Sequence, residues 1–292
     1  MLWAAFTLLG AAGQVARNSL QRHLTPKLGA TLVRLLFGFP FALIFLGLAW
    51  SMSGGPIPAV TTSFLPWILL GALTQIAATA LMLLTMERRS FVISTAYLKS
   101  EPVLVALMGV TLLGDHLTPL MAAAIVIAVA GVVLISVQPG AWAGGDWTSI
   151  GLGLSSAALF AASAIGYRGA ILALARHDYL LPASFALVVG LGLQTLLLLA
   201  WFALWRRSTL VAVLAHWRTS LGAGFAGAAA SQMWFLAFAL ATAASVRTLA
   251  LVEVLFAQGV SRFVFRQRIS AREAAGIALL MAGAILIVWA EP

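Results

Sequence analysis

Ser100-Glu-Pro102 and Val252-Glu-Val254 stand 152 positions apart, each in the middle of an apolar run. Laying the chain on itself in that register, without a gap, puts Glu101 on Glu253, Gly131 on Gly283, Leu134 on Leu286 and Ile135 on Ile287. It also puts Leu117-Thr118 on Ile269-Ser270. The chain therefore reads as a duplicated module whose two copies each carry one acid inside an otherwise oily segment.

The segments around these acids set the fold class. Of the 292 residues, 62% are apolar and 9% charged, against about a quarter charged in an ordinary soluble domain. So few charges cannot cover a surface facing water. At about 20 residues per membrane crossing, the chain has room for ten spans with short loops and no separate soluble domain. The spans read Leu2–Leu20, Gly29–Trp50, Phe64–Met86, Ser90–Leu113, Pro119–Val137, Ile150–Leu172, Leu180–Trp205, Ser220–Ala241, Ala244–Phe265 and Ala274–Trp289. Turn residues such as Ser53-Gly-Gly-Pro-Ile-Pro58 and Gln138-Pro-Gly140 punctuate them. Most tryptophans, among them Trp50, Trp67, Trp201, Trp205, Trp217 and Trp289, fall at span ends, where an amphipathic ring sits at headgroup level. Trp234 lies well inside its span. The N-terminal run has no basic flank or convincing cleavage site and reads as a retained first helix.

Each copy holds five spans, an odd number, so the second copy enters the membrane upside down. The fold class is thus all-α integral membrane, with ten transmembrane helices as two inverted-topology five-helix repeats. The first repeat covers residues 1–137, a connecting loop 138–149 and the second repeat 150–292. Such inverted repeats place substrate near the midplane between them in many secondary transporters. Charge agrees with inversion. Loops after odd spans carry Arg22, Lys27, Arg88, Arg89, Arg206, Arg207, Arg218, Arg266, Arg268 and Arg272, whereas Arg168, Arg176 and Arg247 fall after even spans. The excess of basic residues places the odd loops in the cytoplasm and both termini outside. The net charge of +9 is read the same way, as topology and not as nucleic-acid binding.

The chain resembles the ten-helix EamA-type exporters of the drug/metabolite transporter superfamily, on Ser100-Glu-Pro102 in the fourth span and Leu112-Leu-Gly-Asp-His-Leu-Thr118 after it. Val252-Glu-Val254, Gln267-Arg-Ile-Ser270 and Arg34 are similar to further family features. The resemblance implies export of small organic metabolites, amino acids including aromatic and amphipathic ones among them, across a bacterial-type inner membrane. Two departures matter. Val254 stands where a second proline is expected, so the ninth helix is expected to run unbroken. Arg266-Gln267 replaces the usual Gly-Glu. The family pattern also implies cytoplasmic termini, and here the charges of this chain are followed instead.

An ionisable group at mid-bilayer is costly unless paired or hydrated. Arg17, Arg34 and Arg262 lie near span ends and can snorkel to the headgroups. Lys99, Glu101 and Glu253 are each about 15 Å of helical rise from both ends. Pro102 removes a backbone donor and biases Glu101 away from helical geometry, so the fourth helix is expected to unwind locally. Lys99 then pairs either with Glu101 or with Glu253; such a pair serves the transport cycle or merely fixes helix register.

Gln14, Gln75, Gln194, Gln232 and Gln258 supply amides and Tyr97, Tyr167 and Trp234 supply rings for a substrate pathway. Their alternative use is interhelical bonding and packing. Buried in hydrocarbon, the Trp234 indole N–H demands an acceptor. The pathway is expected to be lined by spans one, three, four, six, eight and nine, with the fifth and tenth as scaffold.

Other chemistry is absent from the sequence. There is no cysteine and hence no disulfide or thiolate site; no Walker-A and no H-E-x-x-H motif occurs. Gly222-Ala-Gly-Phe-Ala-Gly227 matches a dinucleotide pattern, but it lies in a span with no preceding strand and reads as helix packing. The aspartates and histidines fall in loops. The expectation is a transporter and not an enzyme, with no cofactor or metal, acting as a monomer in the lipid bilayer on a small-molecule substrate. The alternatives are a drug or other metabolite exporter of the same fold and, from another class, a non-transporting intramembrane binding or assembly protein.

Overall fold

A computed structural model describes residues 1–21, 27–88, 97–136, 147–174, 178–215, 217–256 and 270–291. Gln258, Arg262 and the turn 266–269 lie outside the described residues, as do the side chains of Arg17 and Arg34. Regular structure among the described residues is entirely helical, as hydrocarbon requires of a chain that must satisfy its own backbone groups.

The helices are α1 (Leu2–Gln21), α2 (Lys27–Ser53), α3 (Phe64–Arg88), α4 (Glu101–Met108), α5 (Pro119–Ser136), α6 (Trp147–Ala173), α7 (Leu180–Trp205), α8 (Arg207–Ala215), α9 (Trp217–Leu240), α10 (Ala243–Ala250) and α11 (Ala271–Ala290). Among the described residues, α2, α3, α5, α6, α7, α9 and α11 contain stretches long and apolar enough to cross a membrane. The protein is a multi-pass membrane protein.

Two compact units emerge, and each draws on both sequence halves. One comprises Met1, Thr74–Ile165 and Ala241–Pro292; the other comprises Leu2–Leu73 and Gly166–Leu240. In the first unit α5 and α11, the last helices of the two sequence copies, pack antiparallel on glycine. A Cβ on Gly131 would lie 2.5 Å from the Leu280 nitrogen and 2.7 Å from the Gly276 oxygen. A Cβ on Gly283 would lie 2.6 Å from the Ala128 nitrogen and 2.8 Å from the Ala124 oxygen. Adding 152 to one set of partners returns the other, so the crossing is two-fold symmetric in sequence as well as in space. Only residues without a side chain let backbones approach so closely.

The fourth and ninth runs are both interrupted. The fourth has a turn at Lys99-Ser100 before α4, with Pro102 in the first turn of that helix, a position where a missing N–H costs nothing. The ninth has a turn at Leu251-Val252 between α10 and helical residues 253–256. This corrects the expectation of an unbroken ninth helix. The break needs no proline, because the backbone tightens to i→i−3 bonding: Val252 N donates to Leu249 O at 3.1 Å and Leu255 N to Val252 O at 2.8 Å. The fourth run repeats these bonds in register, Ser100 N to Tyr97 O and Val103 N to Ser100 O, both at 3.2 Å.

After α4 the backbone widens into a π-turn, Gly109–Leu113, and stops at Gly114, whose φ of 70° favours glycine. The Asp115 nitrogen closes the turn on the Gly109 oxygen at 3.1 Å.

In the second unit α9 packs on α1 and α2. Gly10 faces the Trp234 ring, and a Cβ on Gly224 would lie 2.5 Å from the Phe37 carbonyl carbon. Gly224 is therefore part of a helix contact, the packing use expected of the dinucleotide-like pattern. The segment 206–219, taken in sequence as loop, contains the nine-residue α8. Its buried Val213 joins Leu32, Val33, Phe202 and Ala223 in one apolar cluster, with Leu210 packed alongside. Two anchoring residues are too few to show as a periodic pattern.

Candidate functional site

The two helix breaks bring four charged side chains of the first unit together. Lys99 Nζ lies 2.5 Å from Glu253 Oε1, and Arg247 Nε lies 3.0 Å from Glu101 Oε1. Of the two pairings open to Lys99, the structure adopts the one with Glu253. The pairs are crossed: each joins a base of one sequence half to an acid of the other, and the four charges cancel. Side-chain exposures of 15–24% leave all four largely withdrawn from their surroundings.

Local structure explains the positions. Glu101 opens α4 and Glu253 opens the helical residues 253–256, where unsatisfied N–H groups favour an anion. Arg247 occupies the last turn of α10 and Lys99 follows helical residues 97–98, where a cation is favoured. For the Arg247–Glu101 pair this joins the C-terminal end of one described helix to the N-terminal end of another, and the side chains complete them. Ser100 Oγ donates to the Tyr97 carbonyl at 2.7 Å, a second bond to the acceptor that the Ser100 nitrogen also uses.

Arg247 is the one member of the charged cluster that the sequence does not single out. It falls near a predicted span end and so reads as one of the charges after an even span. Its register partner is Thr95, so the repeat offered no pointer. One signal was available: two mid-membrane acids against a single lysine leave an acid that needs a second cation. Arg168 is likewise counted with the charges after even spans, although the sixth span Ile150–Leu172 contains it; it sits within α6 and donates from Nη1 to the Phe238 carbonyl at 2.8 Å.

Arg247 is held from behind. The Glu291 carboxylate, one residue past α11, accepts from the Thr242 nitrogen at 2.6 Å, from Thr242 Oγ1 at 3.0 Å and from Ser245 Oγ. It thereby caps the start of α10, the helix that presents Arg247 one turn later. A carboxylate in that place stabilises both the orphan donors and the helix dipole.

A cleft of about 490 Å³ adjoins the fourth-run break. Ser100, Val103, Leu104, Val129, Leu154, Ser155 and Ala158 line it. Val129 belongs to α5, a helix expected to be scaffold only. Tyr97 is buried, and its ring covers Gly153, whose added Cβ would lie 2.6 Å from Cδ2. Gln75 is half-buried on α3, with its backbone oxygen accepting from Thr79 Oγ1.

Other expected pathway residues belong to the second unit. The Tyr167 hydroxyl accepts from Gln194 Nε2 at 2.9 Å, and the same amide donates to the Ala72 carbonyl at 3.2 Å. The Tyr167 ring lies flush on Gly71 and Gly190. Gln232 Nε2 donates to Ser184 Oγ at 2.9 Å. Trp234 is buried against Gly10, and Gln14 is half-buried on α1. The bonds of Tyr167, Gln194 and Gln232 are of the interhelical type that knits membrane bundles. Gln258 lies outside the described residues.

Comparison with known proteins bears on the architecture. No curated protein matches the sequence. A solved structure, titled only as the crystal structure of a protein, superposes with a TM-score of 0.67 at 16% identity, over 98% of this chain and 96% of that one. At that identity the likeness concerns the fold alone. Residues 1–137 match the EamA-like transporter family, and this segment contains α4, Glu101 and Pro102. The match spans just under half of the 292 residues, so over residues 1–137 the chain is similar to EamA-like transporters, consistent with the drug/metabolite transporter resemblance of its motifs.

Proposed function

We propose that the protein is a secondary transporter that exports small organic metabolites, amino acids among them, by alternating access of two inverted five-helix repeats. The observation that carries this reading is the crossed ion pairing at symmetric helix breaks. A membrane segment gains nothing in stability from being broken and charged, since a buried pair is commonly no better than well-packed apolar residues. Arranged crosswise between the halves, such pairs are suited to exchange partners when substrate enters. The antiparallel, register-matched crossing of α5 and α11 supports inversion. The ten spans follow if each interrupted run crosses once.

Transport is tested by counterflow in proteoliposomes of the purified protein, preloaded with unlabelled amino acids and other small zwitterionic or amphipathic solutes. Accumulation of label for at least one class is expected. No accumulation across the panel would favour a non-transporting binding or assembly protein. Dissipating a proton gradient during uptake separates proton exchange from facilitated diffusion, both of which the acids allow.

We also propose that the protein lies in the inner membrane with both termini outside. The basic loops after odd spans support this orientation. The chain has no cysteine, so a single introduced one reports its own location. Ser63→Cys, in the exposed connection between α2 and α3, is expected to react with an impermeant maleimide on cells whose outer membrane has been opened. Ser208→Cys, on α8, is expected to react only after the inner membrane is broken. The reverse pattern would invert the topology.

A further inference from the structure

Helix α8 and its flanks hold none of the residues of the charged cluster or of the expected pathway. Its nine residues rise about 14 Å, too little to cross a membrane, and it joins the end of α7 to the start of α9, both long and apolar. One face is anchored through Val213 and Leu210. The other exposes Val211 and Leu214, at 66% and 49%, beside exposed Leu204, Trp201, Trp205 and Trp217. The Trp201 and Trp205 rings pack together with centroids 4.5 Å apart.

Arginines frame this apolar face. Arg206 and Arg207 precede it and Arg218 follows, all exposed. The Arg207 Nε bonds the Ala203 carbonyl at 2.8 Å, which holds that guanidinium at the C-terminal end of α7. The Arg218 guanidinium lies 5.4 Å from the Trp217 ring centroid. The sequence has no Asp or Glu between Asp178 and Glu253, so no acid on this stretch of chain neutralises them. Exposed leucine, valine and tryptophan next to exposed arginine is the composition of a helix lying in the interface of an anionic leaflet.

We propose that α8 with Arg206, Arg207 and Arg218 is a docking surface for anionic phospholipid. The guanidinium groups take the phosphodiester headgroups, while Val211, Leu214 and the tryptophan rings settle at the top of the acyl layer. Charge complementarity selects phosphatidylglycerol-type lipids over zwitterionic ones. Each basic side chain near an anionic surface contributes up to about fivefold; exposed side chains that stay hydrated deliver only part of this, so about twofold from each of three gives roughly tenfold.

Leu214→Cys in the cysteine-free chain allows one bimane label on the exposed face. The full-length protein is placed in nanodiscs of phosphatidylcholine containing a minor fraction of bromine-labelled lipid, either phosphatidylglycerol or phosphatidylcholine. The expected result is roughly tenfold more effective quenching by the brominated phosphatidylglycerol, unchanged by millimolar inorganic phosphate. Arg206→Gln/Arg207→Gln/Arg218→Gln, checked for a monodisperse elution profile, is expected to abolish the difference. Equal quenching by the two lipids in the arginine-bearing, labelled protein would overturn the proposal whether or not the triple arginine variant folds. So would full displacement by free phosphate, which would make the surface an ion site.

Discussion

Lys99→Ala and Arg247→Ala are each expected to abolish counterflow and to lower stability by about 3 kcal/mol, the low end for a buried pair that has lost one partner. The low end applies because the four side chains retain some exposure, and surroundings that can hydrate a charge reduce the penalty. The acid variants Glu101→Gln and Glu253→Gln are expected to unfold less readily. An amide still accepts a hydrogen bond from the facing cation, although that cation keeps an unbalanced charge. Their transport is nonetheless expected to fall at least tenfold, because an amide cannot exchange an ion-pair partner.

The double variant Lys99→Ala/Glu253→Ala separates the two uses of the pair. With both charges gone, no buried ion is stranded, and most of the lost stability is expected to return. If the pair only fixed helix register, transport would return with it. The present account expects a folded, stable and inactive protein. Thermal midpoints followed by fluorescence-detected size exclusion, together with counterflow on the same preparations, read both quantities.

Gly131→Ala and Gly283→Ala are expected to destabilise by about 1–3 kcal/mol each, as overpacking does where the neighbours cannot yield. Here the neighbours are backbone atoms of the facing helix at 2.5–2.8 Å. Separating α5 from α11 is the least costly response, and it opens the apolar cluster in which Ala128, Val132, Leu251 and Leu280 meet. Because the crossing is two-fold in register, the two substitutions are expected to have nearly equal effects. Gly47→Ala serves as the control, since nothing lies within 4 Å of the added carbon. A large effect at one of the paired glycines and none at the other would break the proposed symmetry.

The spans were legible because hydrocarbon imposes length and apolarity on any crossing segment, and the described long helices follow the predicted runs closely. Lys99, Glu101 and Glu253 were legible for the same reason: a charge far from both span ends stands out. What escaped notice has equally physical causes. The break before Glu253 is made by i→i−3 bonding, which any residue can supply, so its sequence carries no mark comparable to Pro102. Arg247 sits four residues into its span, where arginine ordinarily snorkels, and only the partner Glu101 reveals its direction. Glu291 follows α11 and caps a helix that begins some fifty residues earlier, and a tertiary cap of that kind has no local signature. Tyr167, Gln232 and Trp234 were selected for chemistry that suits a binding site. Side-chain type did not indicate that they belong to a different compact unit from the charged cluster.

The most direct measurement is counterflow by the exchanged pair Lys99→Glu/Glu253→Lys, set against each single reversal. Reversal at one site puts two like charges face to face, and both single variants are expected to be inactive. Exchange restores an opposite pair at the same contact, with the base now carried by the second sequence half, and is expected to recover a measurable part of the lost rate. An exchanged protein that is folded yet no better than either reversal, or a single reversal that transports normally, would show that contact across the two halves is not what the cycle uses.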